Sequence, residues 1–154
     1  MPSLSASSSS IDQDPASSSI ETASRRGGLA ATRAFAPVIE GNGGGSVLNV
    51  LSALSWFHPA GLGSYAASKA AAWALSDATR EELAPRGITV SALHVGYMDT
   101  DMAALIPADQ KAAAADVAAQ ALYGIEAGLP EILADETSRY VKQSLSAAPR
   151  PNAG

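Results

Sequence analysis

Tyr65 and Lys69 stand four residues apart in the alanine-rich stretch SYAASKAAAW. Alanine favours a helix, and residues four apart on a helix share a face. A tyrosine hydroxyl ordinarily titrates near ~10, too high for proton transfer at neutral pH. A neighbouring ammonium favours the phenolate and is expected to lower that value. Such a pair can give a proton to a carbonyl oxygen during reduction, or take one from an alcohol during oxidation. An isolated Tyr and Lys at this spacing is more often a solvated surface pair, so the surroundings decide. Ser52 lies thirteen residues before Tyr65, at the end of the apolar run SVLNVLS. In open α/β sheets ligands bind beyond the carboxyl ends of the strands. A hydroxyl there can hydrogen-bond a substrate oxygen while Tyr65 moves the proton.

Elements that could position these groups follow along the chain. GGLAATRAFAPVIE predicts a helix over 28–40, with Leu29, Thr32, Phe35, Ala36 and Ile39 near one face. Gly41 and the run Gly43 to Gly45 end it. SVLNVLS is predicted to be a buried strand, and 53–63, with Pro59, Gly61 and Gly63, a loop. A long helix is predicted over 64–83 with Ser64 as N-cap, ended by Pro85 and Gly87. ITVSALHV, 88–95, is a second buried strand, and 96–102 a loop. A helix from Asp116 to about Ala127, a short strand over 131–134 and a last helix over 135–146 with an acidic start complete the order. Helices alternating with apolar strands predict an α/β fold, a partial Rossmann-type doubly wound parallel sheet of about three strands with flanking helices.

Composition bounds the rest. The 154 residues allow one domain. Residues 1–19 contain nine serines and are expected to be a disordered tail, 20–147 the folded domain, and 148–154 a flexible tail. The net charge of −5 lacks the basic footprint of a nucleic-acid binder. The absence of cysteine excludes disulfides and thiolate chemistry. There is no apolar run long enough for a membrane span and no secretory signal pattern, so a soluble cytoplasmic protein is expected.

The residues Asn49-Val50-Leu51-Ser52, the segment Ser64-Tyr65-Ala66-Ala67-Ser68-Lys69-Ala70, the strand GITVSALHVG and the following Tyr97 to Met102 resemble the short-chain dehydrogenase/reductases, over about Ile20 to Ser146. This resemblance implies an NAD(P)-dependent oxidoreductase acting on a small-molecule carbonyl/alcohol pair by direct hydride transfer, with no metal. It implies that Tyr65 is the acid/base and that Ser52 orients the substrate oxygen. It implies that Lys69 binds the nicotinamide ribose and lowers the Tyr65 pKa, and that the loop Gly96 to Thr100 packs near the nicotinamide. Tyr65, Lys69, Gly96 and Thr100 are thus the expected cofactor-binding residues. It also implies a homodimer through the helices 28–40 and 64–83.

Three features depart from the family pattern. Val95 stands where a proline is usual. The expected asparagine before the Ser52 strand falls near Ala23 or Ser24. The third is the dinucleotide fingerprint, which runs strand, Gly-rich turn, helix. Gly41 to Gly45 follow a predicted helix and precede a strand, the reverse order, so they read as a connecting loop. The chain is therefore expected to be a truncated member that binds NAD(P) weakly or not at all by itself, in either cofactor form. The alternative is a catalytically dead remnant or dimerisation module of the same family. Among other residues, His58 reads as a loop histidine, His94 as a core or strand-end histidine, Trp73 as helix packing, and Trp56 with Phe57 as walls of a substrate pocket. Asp99 and Asp101 lack companions for a metal site.

Overall fold

Side chains alternate across a strand, so Val47 and Leu48 of the run SVLNV must meet different layers. In the computed structural model, which describes residues 15–99 and 107–147 and side chains from Gly27 onward, they do. Strand β1 (Gly45–Val50) pairs in parallel with β2 (Ile88–His94), and β2 pairs in parallel with β5 (Glu131–Leu133), giving the order β1-β2-β5. Val47 packs with Ile39, Ala36, Leu83, Ile88 and Val90 under helices α1 (Pro15–Gly41) and α2 (Gly63–Leu83). Leu48 packs with Leu93, Val95, Val117, Ala121 and Ile132 on the side of α3 (Ala114–Glu126). Helix α4 (Glu136–Ser144) follows β5. The α/β class and the partial Rossmann-type parallel sheet of three strands are as the sequence predicts.

Several boundaries and environments differ from expectation, each for a physical reason. Helix α1 begins at Pro15, a residue suited to a first helical turn, so 15–19 lie in the helix rather than in a tail. Residues 1–14 and 148–154 fall outside the described residues. Phe35 is 63% exposed, because Thr32, Ala36 and Ile39 already fill the face that meets the sheet. β1 is only partly buried, since β2 covers one of its edges and the other has no strand beside it among the described residues. Helix α2 starts one residue before Ser64, and its N-cap position, Leu62, makes no side-chain bond, so Ser64 is not the cap. Within the predicted loop after β2, β3 (Tyr97–Met98) pairs in parallel with β4 (Lys111–Ala112).

The glycine run is a packing device. Gly44 has φ +102, and a Cβ there would lie 2.4 Å from the Gly87 carbonyl oxygen. Only glycine allows the two loops entering β1 and β2 to touch, and Gly45 N–H then donates to Gly87 O at 3.1 Å. This contact starts the β1–β2 register at Gly45 and Ile88. Arg80 ties α2 to the same strands, donating to Val90 O at 2.8 Å and to Pro130 O at 2.9 Å.

His94 is fully buried at the end of β2. Its ring stacks on Trp56, with centroids 3.7 Å apart, and Nδ1 lies 3.3 Å from Ser52 O. A carbonyl only accepts, so Nδ1 carries the proton and donates. Trp73 meets both rings edge-on and donates from Nε1 to Glu131 at 2.7 Å. Glu131 pairs with Lys142 at 2.6 Å, and the Lys142 ammonium lies 4.6 Å from the Trp56 ring centroid. Trp73 therefore packs within the chain, as does Trp56.

Burial lowers the His94 pKa to about 4; the bond to Ser52 and the charges of Glu131 and Asp77 oppose that shift, while Lys142 adds to it. Between pH 4 and the ordinary value of 6.5 the imidazole is neutral when folded and protonated when unfolded. Its contribution to stability is thus complete above 6.5 and is lost as pH falls through that window. Urea unfolding is expected to show a loss on the order of 3 kcal/mol from this group. Most of it falls above the range where carboxylates titrate. His94→Gln should flatten the slope between neutral pH and mildly acid pH; an unchanged slope in that variant would contradict the assignment.

Candidate active site

Parallel pairing carries on past the end of β1: Leu51 N–H donates to Leu93 O at 2.7 Å, and Ala53 N–H to Val95 O at 2.9 Å. The segment after β1 is thereby held beside the segment after β2. Ser52, buried between these two bonds, caps a single 3-10 turn (Ala53–Ser55), its Oγ accepting from Leu54 N–H at 3.1 Å. The Ser52 hydroxyl lies near the Tyr65 phenol from the first turn of α2, close enough to act on its pKa. Tyr65 is 39% exposed, so the phenol is open on one side.

One helical turn later, Lys69 Nζ lies 5.6 Å from the Tyr65 ring centroid and 3.5 Å from Val50 O. Because Leu51 N–H points to β2, the Val50 carbonyl of the same peptide plane points away from it. Lys69 therefore sits at the open edge of β1, with donors left for another partner. Burial lowers the Lys69 pKa. Burial also raises the Tyr65 pKa, against the opposing influence of the Ser52 hydroxyl. The expected lowering by the ammonium is not what the geometry gives, since Lys69 Nζ reaches the Val50 carbonyl.

Ser52, Tyr65 and Lys69 thus meet at the carboxyl end of β1. Gly96 lies in the adjoining loop after β2, where its N–H donates to Asp135 Oδ2 at 2.7 Å. Thr100 and Asp101 lie outside the described residues. Trp56 is buried under His94 and does not wall a pocket, whereas Phe57 and His58 are exposed in the loop. Asp99 pairs with Lys111 at 3.2 Å, and among the described residues no group of three His, Asp or Glu gathers as for a metal. A cavity of about 200 Å³ opens behind Lys69, between α1, α2 and β1, lined by Asn49, Leu75 and Ser76; neither Ser52 nor Tyr65 borders it.

The sequence reading overlooked Asp135, Glu131 and Lys142. Asp135 was visible only as part of an acidic helix start, and its second contact spans 39 residues. The glycine run Gly41 to Gly45 precedes β1 and so lies at the opposite end of that strand from Ser52. The residues present fit the nicotinamide end of a dinucleotide: a half-buried ammonium with free donors, a phenol and a hydroxyl lie together at the carboxyl end of β1.

Comparison with known proteins agrees with this fold. The short chain dehydrogenase family model matches residues 6–111. The chain is 36% identical over 77 residues to a 2,5-dichloro-2,5-cyclohexadiene-1,4-diol dehydrogenase of Sphingobium indicum, covering 50% of this chain and 31% of that relative. It is 32% identical over 116 residues to nodulation protein G of Azospirillum brasilense, covering 73% of this chain and 47% of that relative. A short-chain dehydrogenase from Burkholderia cenocepacia, solved in complex with NADP, superposes with a TM-score of 0.81 at 32% identity, over 88% of this chain and 58% of that one. The chain spans about a third to a little over half the length of these relatives. With the matched residues including β1, β2 and the helix that bears Tyr65 and Lys69, the chain belongs to the short-chain dehydrogenase family.

Proposed function

We infer that the chain carries the proton-transfer and nicotinamide-ribose end of an NAD(P)-dependent oxidoreductase that interconverts a small-molecule carbonyl and its alcohol. The observation that supports this most is the gathering of Ser52, Tyr65 and Lys69 at the carboxyl end of β1, with Lys69 Nζ 5.6 Å from the Tyr65 ring centroid and 3.5 Å from Val50 O. The cofactor, when bound, supplies or accepts the hydride. Tyr65 holds its proton at neutral pH, because burial raises its pKa, and gives that proton to the substrate oxygen as negative charge develops there. Ser52 Oγ accepts from Leu54 N–H, which holds the hydroxyl near Tyr65, where it can turn its proton from the phenol to the substrate oxygen. Lys69 spends one donor on Val50 O and keeps others for the ribose hydroxyls. Gly96 lines the nicotinamide side. The Burkholderia relative was solved with NADP, so NADPH is the first cofactor to test. Phe35 and Val38 stand exposed on α1, which favours a dimer through α1 and α2.

The test is oxidation of NADPH and NADH with a panel of ketones and aldehydes. Tyr65→Phe is expected to lower kcat by about 10²–10⁴-fold, the usual range for a lost general acid, while cofactor affinity stays within about twofold. Retained turnover in that variant would overturn the assignment. In the pH profile, carbonyl reduction should stay level through neutral pH and fall only above the ordinary tyrosine value near ~10, while alcohol oxidation climbs toward the same range. A bell centred on neutral pH would point to a different acid.

A further inference from the structure

We propose that Asp135 is a positioning residue for the loop after β2: one carboxylate oxygen caps α4 while the other holds the Gly96 backbone. Oδ1 accepts from Ser138 N–H at 2.8 Å, and Ser138 Oγ in turn accepts from Asp135 N–H at 3.3 Å, a reciprocal cap. The cap uses only one oxygen. Oδ2 accepts from Gly96 N–H at 2.7 Å, a charge-assisted bond to a residue 39 positions earlier.

The loop backbone lies directly on the cap. A Cβ at Gly96 would come within 2.9 Å of Thr137 Cβ and 3.0 Å of Asp135 Oδ2, so any side chain there would push the two apart. The residue before Gly96, Val95, receives Ala53 N–H, and Ala53 is the neighbour of Ser52. The residues after it, Tyr97 and Met98, form β3. Asp135 thus fixes the point where the two rim loops meet. The far end of α4 is anchored separately, by Lys142 on Glu131 and over Trp56 and Trp73. The carboxylate therefore acts from a helix whose position it does not set alone.

The inference rests on the preceding reading only in taking this loop to face the nicotinamide. Asp135→Asn separates the two jobs. Asparagine caps helices as well as aspartate does, but its single carbonyl oxygen leaves an amide NH₂ facing the Gly96 N–H. The unfolding temperature is expected to move by only a few degrees, whereas Gly96 amide exchange, followed by NMR, should speed up about tenfold or more. The dissociation constant of reduced nicotinamide mononucleotide should rise by about tenfold. Asp135→Ser, whose short hydroxyl keeps a cap but cannot span to Gly96, should give the same pair of changes. Unchanged Gly96 exchange in both variants would overturn the proposal. Faster exchange with unchanged nucleotide affinity would overturn the positioning role, leaving Asp135 a tether of the loop backbone with no effect on the site. Failure of the unaltered chain to bind the mononucleotide at millimolar concentration would count against the nicotinamide reading, and Gly96 exchange would still decide whether Asp135 holds the loop.

Discussion

The site depends on the parallel pairing of β1 with β2 and on its continuation beyond both strands. A parallel ladder sends both chains out at the same end of the sheet, and the Leu51–Leu93 and Ala53–Val95 bonds keep them together for several more residues. Ser52 sits between those two bonds. Its hydroxyl, held by the Leu54 amide, then stays near the Tyr65 phenol without freedom to drift. Starting the register correctly matters equally, and that task falls to the contact of Gly44 with Gly87 at the other end.

Beneath the rim lies a buried aromatic layer. His94, Trp56 and Trp73 pack ring against ring, with Glu131 and Lys142 closing one side. His94 reaches from this layer to the Ser52 carbonyl, so the core and the backbone of Ser52 are joined by one hydrogen bond. A neutral imidazole suits that position, because it donates one proton without placing a charge in an apolar setting. The same burial principle acts in opposite senses on the two helix residues. It keeps the Tyr65 phenol protonated and makes the Lys69 ammonium easier to deprotonate.

Much of this was legible in the sequence because it rests on local signals. The apolar runs at 46–52 and 88–95 fixed two strands, Gly and Pro marked their limits, and the four-residue spacing put Tyr65 and Lys69 on one face. What the sequence hid depends on long-range contacts. Whether Lys69 addresses the phenol or the Val50 carbonyl is decided by the orientation of an edge peptide. Trp56 read as a pocket wall from its place after Ser52, but the stack on His94 turns it inward. Phe35 has the right spacing for a core face and is nevertheless exposed, because the width of the buried stripe on α1 is set by the sheet beneath. Asp135 could be read as a favourable charge at a helix start; its hold on Gly96 has no local signature.

The central claim is that Ser52, Tyr65 and Lys69 together accept a nicotinamide ribose at the carboxyl end of β1, beside the loop at Gly96. Chemical-shift mapping of the isotope-labelled chain with reduced nicotinamide mononucleotide tests this most directly, since it reads weak binding residue by residue. The account predicts the largest shifts at Ser52, Tyr65, Lys69 and Gly96, with little change around Gly44 and Gly87 at the opposite end of the sheet. Shifts that avoid the first group, or that gather at the second, would contradict it.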